Sequence, residues 1–555
     1  MMNLTEFTPK IFTILKNGYG PHDCRADLLA GLTVAIVALP LAMALAIASG
    51  ASPDKGLITA VIAGFVISFL GGSRVQIGGP TGAFVVVVFN VIAQHGYDGL
   101  LLATLMAGVI LVIAGYARLG QVIKFIPQPV ITGFTAGIAV IIASSQVKDF
   151  LGLKMESVPT DFGAKWAAYI AHLDTVDIAT LAVGVGALVL IIGLRKAAPK
   201  WPGYLIAVVL AAVIVTVFHV PVETIGSRYP DVGSGIPMPT IPEWSFVKMQ
   251  EVLPAAFTIA FLAGIEALLS AVIADGMTGY KHRSNAELAG QGFANIATAL
   301  FGGLPATGAI ARTATNIKAG GRTPFAGIFH AVFLLLFMLF AMDYVAFIPM
   351  AALAAILFIV AWGMSETRHF IHIFKLSASD RTVLLLTFFL TIFVDLTVAI
   401  GVGVTLACLL FMHQMTKAVE ISAQPRNAEV GEEEDETQRD DLPEGVEVFR
   451  LTGPVFFAVA GNLIDTLKAM GQMPKILILR MRLVPYLDAT GATAIENLIA
   501  LCHAKGTKVI LSAVQPQPMK ILGKGGVDDG KDGVMMTASY RDSVALAKKL
   551  MASGA

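Results

Sequence analysis

Read for charge alone, the chain alternates long stretches free of Asp, Glu, Lys and Arg with short charged gaps. With His counted as neutral, uncharged runs cover 28–53, 56–73, 75–97, 99–117, 125–147, 178–194 and 201–222 in the first half. The second half adds 252–274 (broken only by Glu266), 288–311, 323–342, 344–365, 382–394 and 396–416. About 20 apolar residues span the hydrocarbon core of a bilayer, so these thirteen runs predict membrane helices. The run 288–311 continues past Arg312 to Ala319 and is interrupted at Gly302–Pro305, which predicts a helix, a break and a second short helix. The pattern therefore predicts fourteen membrane segments, and an even number puts both termini on one side.

Loop charge agrees with that count. With a cytoplasmic N-terminus, the inside loops hold Arg74, then Arg118 and Lys124, then Arg195, Lys196 and Lys200. Later inside loops hold Lys281 and Arg283, Lys318 and Arg322, and Arg368, Lys375 and Arg381, while the short outside loops are nearly free of Lys and Arg. That asymmetry is the positive-inside pattern, and one missed helix would invert it for every later loop. Composition points the same way: 56% hydrophobic and 14% charged residues, against about 25% charged in a soluble protein. The N-terminus lacks the compact charged-then-apolar pattern of a cleaved signal peptide, so insertion is expected to use the first membrane helix. Cys24, Cys408 and Cys502 are too few and scattered for a disulfide framework or zinc site, and no cofactor or metal is expected.

From Lys417 onward charge returns to soluble-protein density. The expected organisation is a cytoplasmic N-terminal segment 1–27, a transmembrane domain 28–416, an acidic linker 417–444 and a cytoplasmic domain 445–555. The run Glu432–Glu436 predicts a solvated linker, or alternatively an acidic partner-binding segment. Strand-like Val446–Leu451, Ile476–Met481 and Lys508–Ser512 alternate with helix-like Asn462–Met470 and Thr493–His503, which predicts a small α/β domain.

An internal repeat marks the candidate site. Pro80-Thr81-Gly82-Ala83 recurs loosely as Pro305-Ala306-Thr307-Gly308-Ala309, with an offset of 226 residues matching Thr81 to Thr307. Both copies interrupt a hydrophobic segment, and paired broken helices in two halves of opposite orientation point to a transporter's midplane site. Helix starts there would expose N–H groups and the positive dipole end to an anion. On the first short helix the candidates are Thr81, Gly82, Ala83 and Phe84; on the second, Thr307, Gly308, Ala309 and Ala311. Gly and Ala at these positions also suit close helix packing.

Arg312, one turn into the second short helix, is expensive there unless it faces a cavity or partner. It would hold an anion, or form a structural pair with Glu266. Glu266, the lone acid of its run, would exchange a proton or coordinate a cation, or stay paired with Arg312. Pro40 should bend the first helix and free a carbonyl. His330 reads as a packed side chain and Asp395 as interfacial. No catalytic triad, Walker loop or HExxH pattern occurs, so no enzyme activity is expected, and no basic patch suggests nucleic acid.

These residues resemble the sulfate permease (SulP) family of anion transporters. Leu39-Pro40-Leu41-Ala42-Met43-Ala44 is similar to the family's first helix, Gly78-Gly79-Pro80-Thr81-Gly82-Ala83-Phe84 to its third and Ala309-Ile310-Ala311-Arg312-Thr313 to its tenth. Leu487-Asp488-Ala489-Thr490-Gly491 resembles the signature loop of a STAS domain. The resemblance implies a polytopic α-helical membrane protein with a seven-plus-seven inverted repeat, split into core and gate subdomains that move as an elevator, commonly as a homodimer. It implies an anion site on the third and tenth helices. Thr490 falls where some STAS domains carry a phosphorylated serine, although Ala489 departs from their Asp-Ser-Ser. Relatives with sodium-coupled bicarbonate transport lack an arginine at the position of Arg312, which favours sulfate or a carboxylate here. Gly264-Ile265-Glu266 resembles proton-coupled bacterial dicarboxylate carriers. The expectation is a proton-coupled cytoplasmic-membrane symporter of sulfate or a C4-dicarboxylate; the alternatives are a sodium-coupled bicarbonate transporter, an uncoupled channel or exchanger, and a non-transporting sensor.

Overall fold

The computed structural model describes residues 6–121, 127–155, 158–159, 161–198, 201–230, 233, 235–394, 396–423, 442–459, 473–530 and 533–553. The chain forms two compact units, Met1–Ala407 and Cys408–Ala555.

Every uncharged run contains or joins a helix. The principal helices are α1 (Pro21–Ala48), α2 (Pro53–Leu70), α3 (Val85–Tyr116), α4 (Gln128–Ser145), α5 (Ile178–Ala197), α6 (Gly203–Val217) and α7 (Phe246–Thr278). They continue with α8 (Ser284–Leu300), α9 (Ile310–Lys318), α10 (Phe325–Phe340), α11 (Met350–Met364), α12 (Ala378–Phe393) and α13 (Leu396–Ala418). Among the described residues eight helices are long and apolar enough to cross a membrane, by length and composition. Large apolar side chains such as Val189, Phe218, Phe340 and Phe411 stand exposed on their outer faces, as a lipid surround requires. The chain is a multi-pass membrane protein.

One boundary differs from the expectation. The runs 75–97 and 99–117 join in α3, and the backbone breaks at Gly96 (φ 71°) rather than at the charged Asp98. A residue without a Cβ adopts that conformation at no steric cost, so the break sits at the glycine. Pro40 lies inside α1, which runs unbroken from Pro21 to Ala48. Asp395 lies outside the described residues.

The interior of this unit is built on small residues. Gly108 of α3 and Gly292 of α8 face each other: a Cβ on Gly108 would fall 2.7 Å from the Gly292 carbonyl oxygen. A Cβ on Gly56 of α2 would fall 2.1 Å from the Ala42 carbonyl oxygen of α1. Such close backbone approach is how apolar helices associate where lipid removes the hydrophobic drive.

The second unit carries a five-stranded sheet in the order β3 (Glu420–Ala423), β4 (Val446–Thr452), β5 (Ile476–Leu483), β6 (Lys508–Ser512) and β7 (Val534–Thr537). Only β3 runs antiparallel. Period-2 alternation divides β5 between two faces. Leu477, Leu479 and Met481 pack with α14 (Ala489–Ala504) and α15 (Pro516–Lys524), while Ile476 and Ile478 pack with α16 (Tyr540–Ala552). The strand β3 falls within the span expected as linker; the acidic run Glu432–Glu436 and the helix-like Asn462–Met470 lie outside the described residues.

Asp488 caps α14. Its Oδ1 accepts from the Gly491 N–H at 2.7 Å and its Oδ2 from the Phe457 N–H at 3.1 Å. Losing such a cap costs about 1–2 kcal/mol. Asp488→Ala should lower the denaturant midpoint of the 408–555 unit accordingly; an unchanged midpoint would show that solvent replaces the cap. Thr490 is exposed in the first turn of α14.

Candidate anion site

The two interruptions meet. Gly78–Gly79 forms a short strand, β1, that pairs antiparallel with β2, Thr307–Gly308, in the register Gly78 to Gly308 and Gly79 to Thr307. The Ala309 N–H extends the pairing to the Ile77 carbonyl at 2.8 Å. The first break then turns into Gly82–Phe84 and α3, and the second into α9. Thr307, Gly308 and Ala309 therefore lie in extended backbone leading to α9, not on the helix as expected; Ala311 and Arg312 lie on it. The reason is the pairing itself, which needs extended backbone in both segments. Each helix start leaves its first N–H groups without intrahelical partners, pointed at the crossing.

Side chains of three helices hold the two breaks. From α9, the Arg312 Nη2 donates to the Pro80 carbonyl at 3.1 Å, Thr313 Oγ1 accepts from the Ile77 N–H at 3.1 Å, and Asn316 Nδ2 donates to the Val75 carbonyl at 2.8 Å. From α7, one face at Ala263, Glu266 and Ser270 serves both breaks. Thr307 Oγ1 donates to the Ala263 carbonyl at 2.8 Å, Thr81 Oγ1 donates to Glu266 Oε2 at 2.8 Å, and Ser270 Oγ donates to Thr313 Oγ1 at 3.3 Å. From α8, Asn295 clamps Ala306, donating to its carbonyl at 2.8 Å and accepting from its N–H at 2.9 Å.

The pairing of Glu266 with Arg312, one of two expected readings, is not found. Glu266 takes the Thr81 hydroxyl instead. Arg312 is 2% exposed, and its Nε and Nη1 have no hydrogen-bond partner among the described residues. A guanidinium never loses its charge in a protein, so a buried one without a carboxylate is a site that attracts anions. Gly79 makes room for it: a Cβ there would fall 2.1 Å from Arg312 Nη1.

Gly82, Ala83 and Phe84 are buried, while Thr81 is half-buried and Ala311 exposed. Gly82 packs against Met364 at the end of α11, where a Cβ would fall 2.5 Å from its sulfur. Pro40 is buried in the core of α1. Sequence reading did not single out Thr313, Asn316, Ser270 or Asn295. The first two follow Arg312 at one and four residues, and their shared helix was the available signal.

Comparison with known proteins settles the family. Residues 24–387 match the sulfate permease family. The chain belongs to it. Residues 440–534 match the STAS domain. A putative sulfate transporter of Bacillus subtilis, YvdB, is 41% identical over 512 residues, covering 92% of this chain and 95% of its own. The bicarbonate transporter BicA of a Picosynechococcus strain is 32% identical over 534 residues, covering 91% of both chains. Among solved structures, the transmembrane domain of a cyanobacterial BicA aligns with a TM-score of 0.62 at 31% identity, covering 70% of this chain and 98% of that one. The murine Solute Carrier 26 family member A9 anion transporter shares the fold, with a TM-score of 0.86 at 19% identity over 99% of this chain and 95% of that one.

In this sulfate permease family chain, Gly79 offers a direct probe of the crossing. Its φ of 152° disfavours any side chain, and the clash with Arg312 adds to that strain. Gly79→Ala should weaken anion binding by roughly tenfold or more, about 1.4 kcal/mol. Unchanged affinity in titration calorimetry would place the guanidinium away from the anion.

Proposed function

We propose that the chain is a secondary active anion transporter of the cytoplasmic membrane, moving sulfate or a C4-dicarboxylate by proton symport. The observation that carries this reading is Arg312: a buried guanidinium with two unpartnered nitrogens and no carboxylate, at the crossing of two broken segments. Helix starts supply N–H groups, Thr81 supplies a hydroxyl, Thr307 holds its segment in place through the Ala263 carbonyl, and the small Gly82, Ala83, Gly308, Ala309 and Ala311 let an anion approach the backbone.

The bond between Thr81 and Glu266 supports a coupling mechanism. Ionised, Glu266 accepts the Thr81 hydroxyl proton and repels an incoming anion. Protonated, the acid donates to Thr81 Oγ1 instead, and the hydroxyl hydrogen turns toward the substrate. Proton and anion then bind cooperatively, each raising the affinity for the other. Affinity for sulfate or succinate should rise as pH falls from about 8 to about 5. Binding that ignores pH would contradict proton symport.

A second reading is sodium-coupled bicarbonate transport, favoured by the 32% identity with the bicarbonate transporter BicA. Glu266 would then coordinate the cation, and sodium rather than pH would set the affinity. An uncoupled channel or exchanger has no use for an ionisable group bonded to the site, and a pure sensor has no use for an unpartnered site arginine.

The STAS domain is assigned to the cytoplasm, with the N-terminus on the same side, and the working unit to a homodimer. Thr490, exposed beside a helix start that favours negative charge, is the candidate regulatory phosphosite. Deletion from Gly445 onward should leave anion binding intact, since the site residues all lie within Met1–Ala407. Complete loss of binding in a folded truncation would mean that the soluble unit completes the site.

A further inference from the structure

His330 is fully buried in α10 against Gly31 of α1 and Gly64 of α2, and neither ring nitrogen has a hydrogen-bond partner among the described residues. A neutral imidazole carries one N–H and one lone pair, and burying both unpaired is unfavourable. Close packing alone would be served better by an apolar side chain.

The packing on α2 identifies what His330 faces. A Cβ on Gly64 would fall 3.2 Å from His330 Nδ1, and a Cβ on Gly79 would fall 2.1 Å from Arg312 Nη1 and 3.6 Å from Ala60 Cα. Ala60 and Gly64 are four residues, roughly 6 Å, apart on α2, so the guanidinium beside Gly79 and the imidazole beside Gly64 lie along neighbouring turns of that helix. The Gly78 carbonyl oxygen borders the same space, 3.6 Å from where a Gly64 Cβ would fall. Ser68, one further turn along, presents an equally unpartnered hydroxyl and extends the same polar stripe.

We infer that His330 is the resting partner of Arg312. With the anion gone, the guanidinium turns an N–H toward the imidazole lone pair; an entering anion draws it back. His330 is thus a positioning residue that acts through Arg312 and does not touch the substrate. By stabilising the empty site, it weakens anion binding and speeds release.

This inference rests on the assignment of Arg312 to the anion. The test uses the full chain in detergent and whichever of sulfate, bicarbonate and succinate the wild type binds most tightly. His330→Leu removes the acceptor and should tighten binding roughly tenfold, with KM and kcat falling together. His330→Gln keeps an acceptor and should stay within about twofold of wild type. Binding in His330→Leu that is unchanged or weaker overturns the inference. A second readout does not depend on that variant. The wild-type ring 15N resonance that disappears in His330→Gln should shift toward its unbonded position on anion addition, and a resonance unmoved at saturation overturns the inference. If Arg312→Ala binds anion like wild type, the site assignment itself fails; if it loses binding while His330→Leu binds no tighter, only the role of His330 fails.

Discussion

Arg312→Ala should abolish or strongly weaken anion uptake while the protein stays folded. Among the described residues the side chain makes one hydrogen bond, to the Pro80 carbonyl at 3.1 Å, and leaves Nε and Nη1 without partners. Truncation therefore removes a buried, poorly compensated charge, so little stability is lost with it. A charged hydrogen bond to the substrate is a different matter: its loss costs on the order of 1.5–3 kcal/mol. That corresponds to a roughly 10- to 150-fold weaker affinity. Equilibrium binding and thermal unfolding in detergent check the two halves of the expectation. Wild-type affinity in the variant would make Arg312 a structural arginine.

Glu266→Gln should separate transport from the proton gradient without removing anion binding. Glutamine matches the acid in size and donates to Thr81 Oγ1 through its amide, as the protonated acid would. It cannot become negative, so the repulsion that opposes the anion at high pH disappears. The variant should bind about equally from about pH 5 to about pH 8, with affinity close to that of the wild type at the acid end. Uptake should then follow the anion gradient alone. If the variant keeps the wild-type pH dependence, Glu266 is not the coupling residue and cation coupling or simple exchange becomes the better description.

Much of the fold was legible because the bilayer allows few solutions. A backbone in hydrocarbon must satisfy its own hydrogen bonds, so the uncharged runs had to be helical except where a break could pair within the protein. The runs 178–194 and 382–394 became Ile178–Ala197 and Ala378–Phe393. In the soluble unit, alternation located Lys508–Ser512 to the residue, but Val534–Thr537 escaped notice. Its four residues lie in a stretch rich in Gly and Asp that reads as loop.

The candidate site was legible as a pair of breaks and a misplaced charge. Its wiring was not. Thr81 and Glu266 are 185 residues apart, and Arg312 and Pro80 are 232 apart, so their bonds follow from the crossing of β1 with β2 rather than from any local pattern. The same crossing explains why Glu266 and Arg312, plausible partners by charge, never pair: Arg312 points back along β1 while Glu266 takes the Thr81 hydroxyl.

The most direct test of transport by this site is uptake of radiolabelled sulfate, bicarbonate and succinate into proteoliposomes across an imposed pH gradient. Sulfate or succinate should accumulate when the outside is acidic, and accumulation should vanish in Arg312→Ala. No accumulation of any of the three anions, or equal accumulation in wild type and Arg312→Ala, would contradict the account.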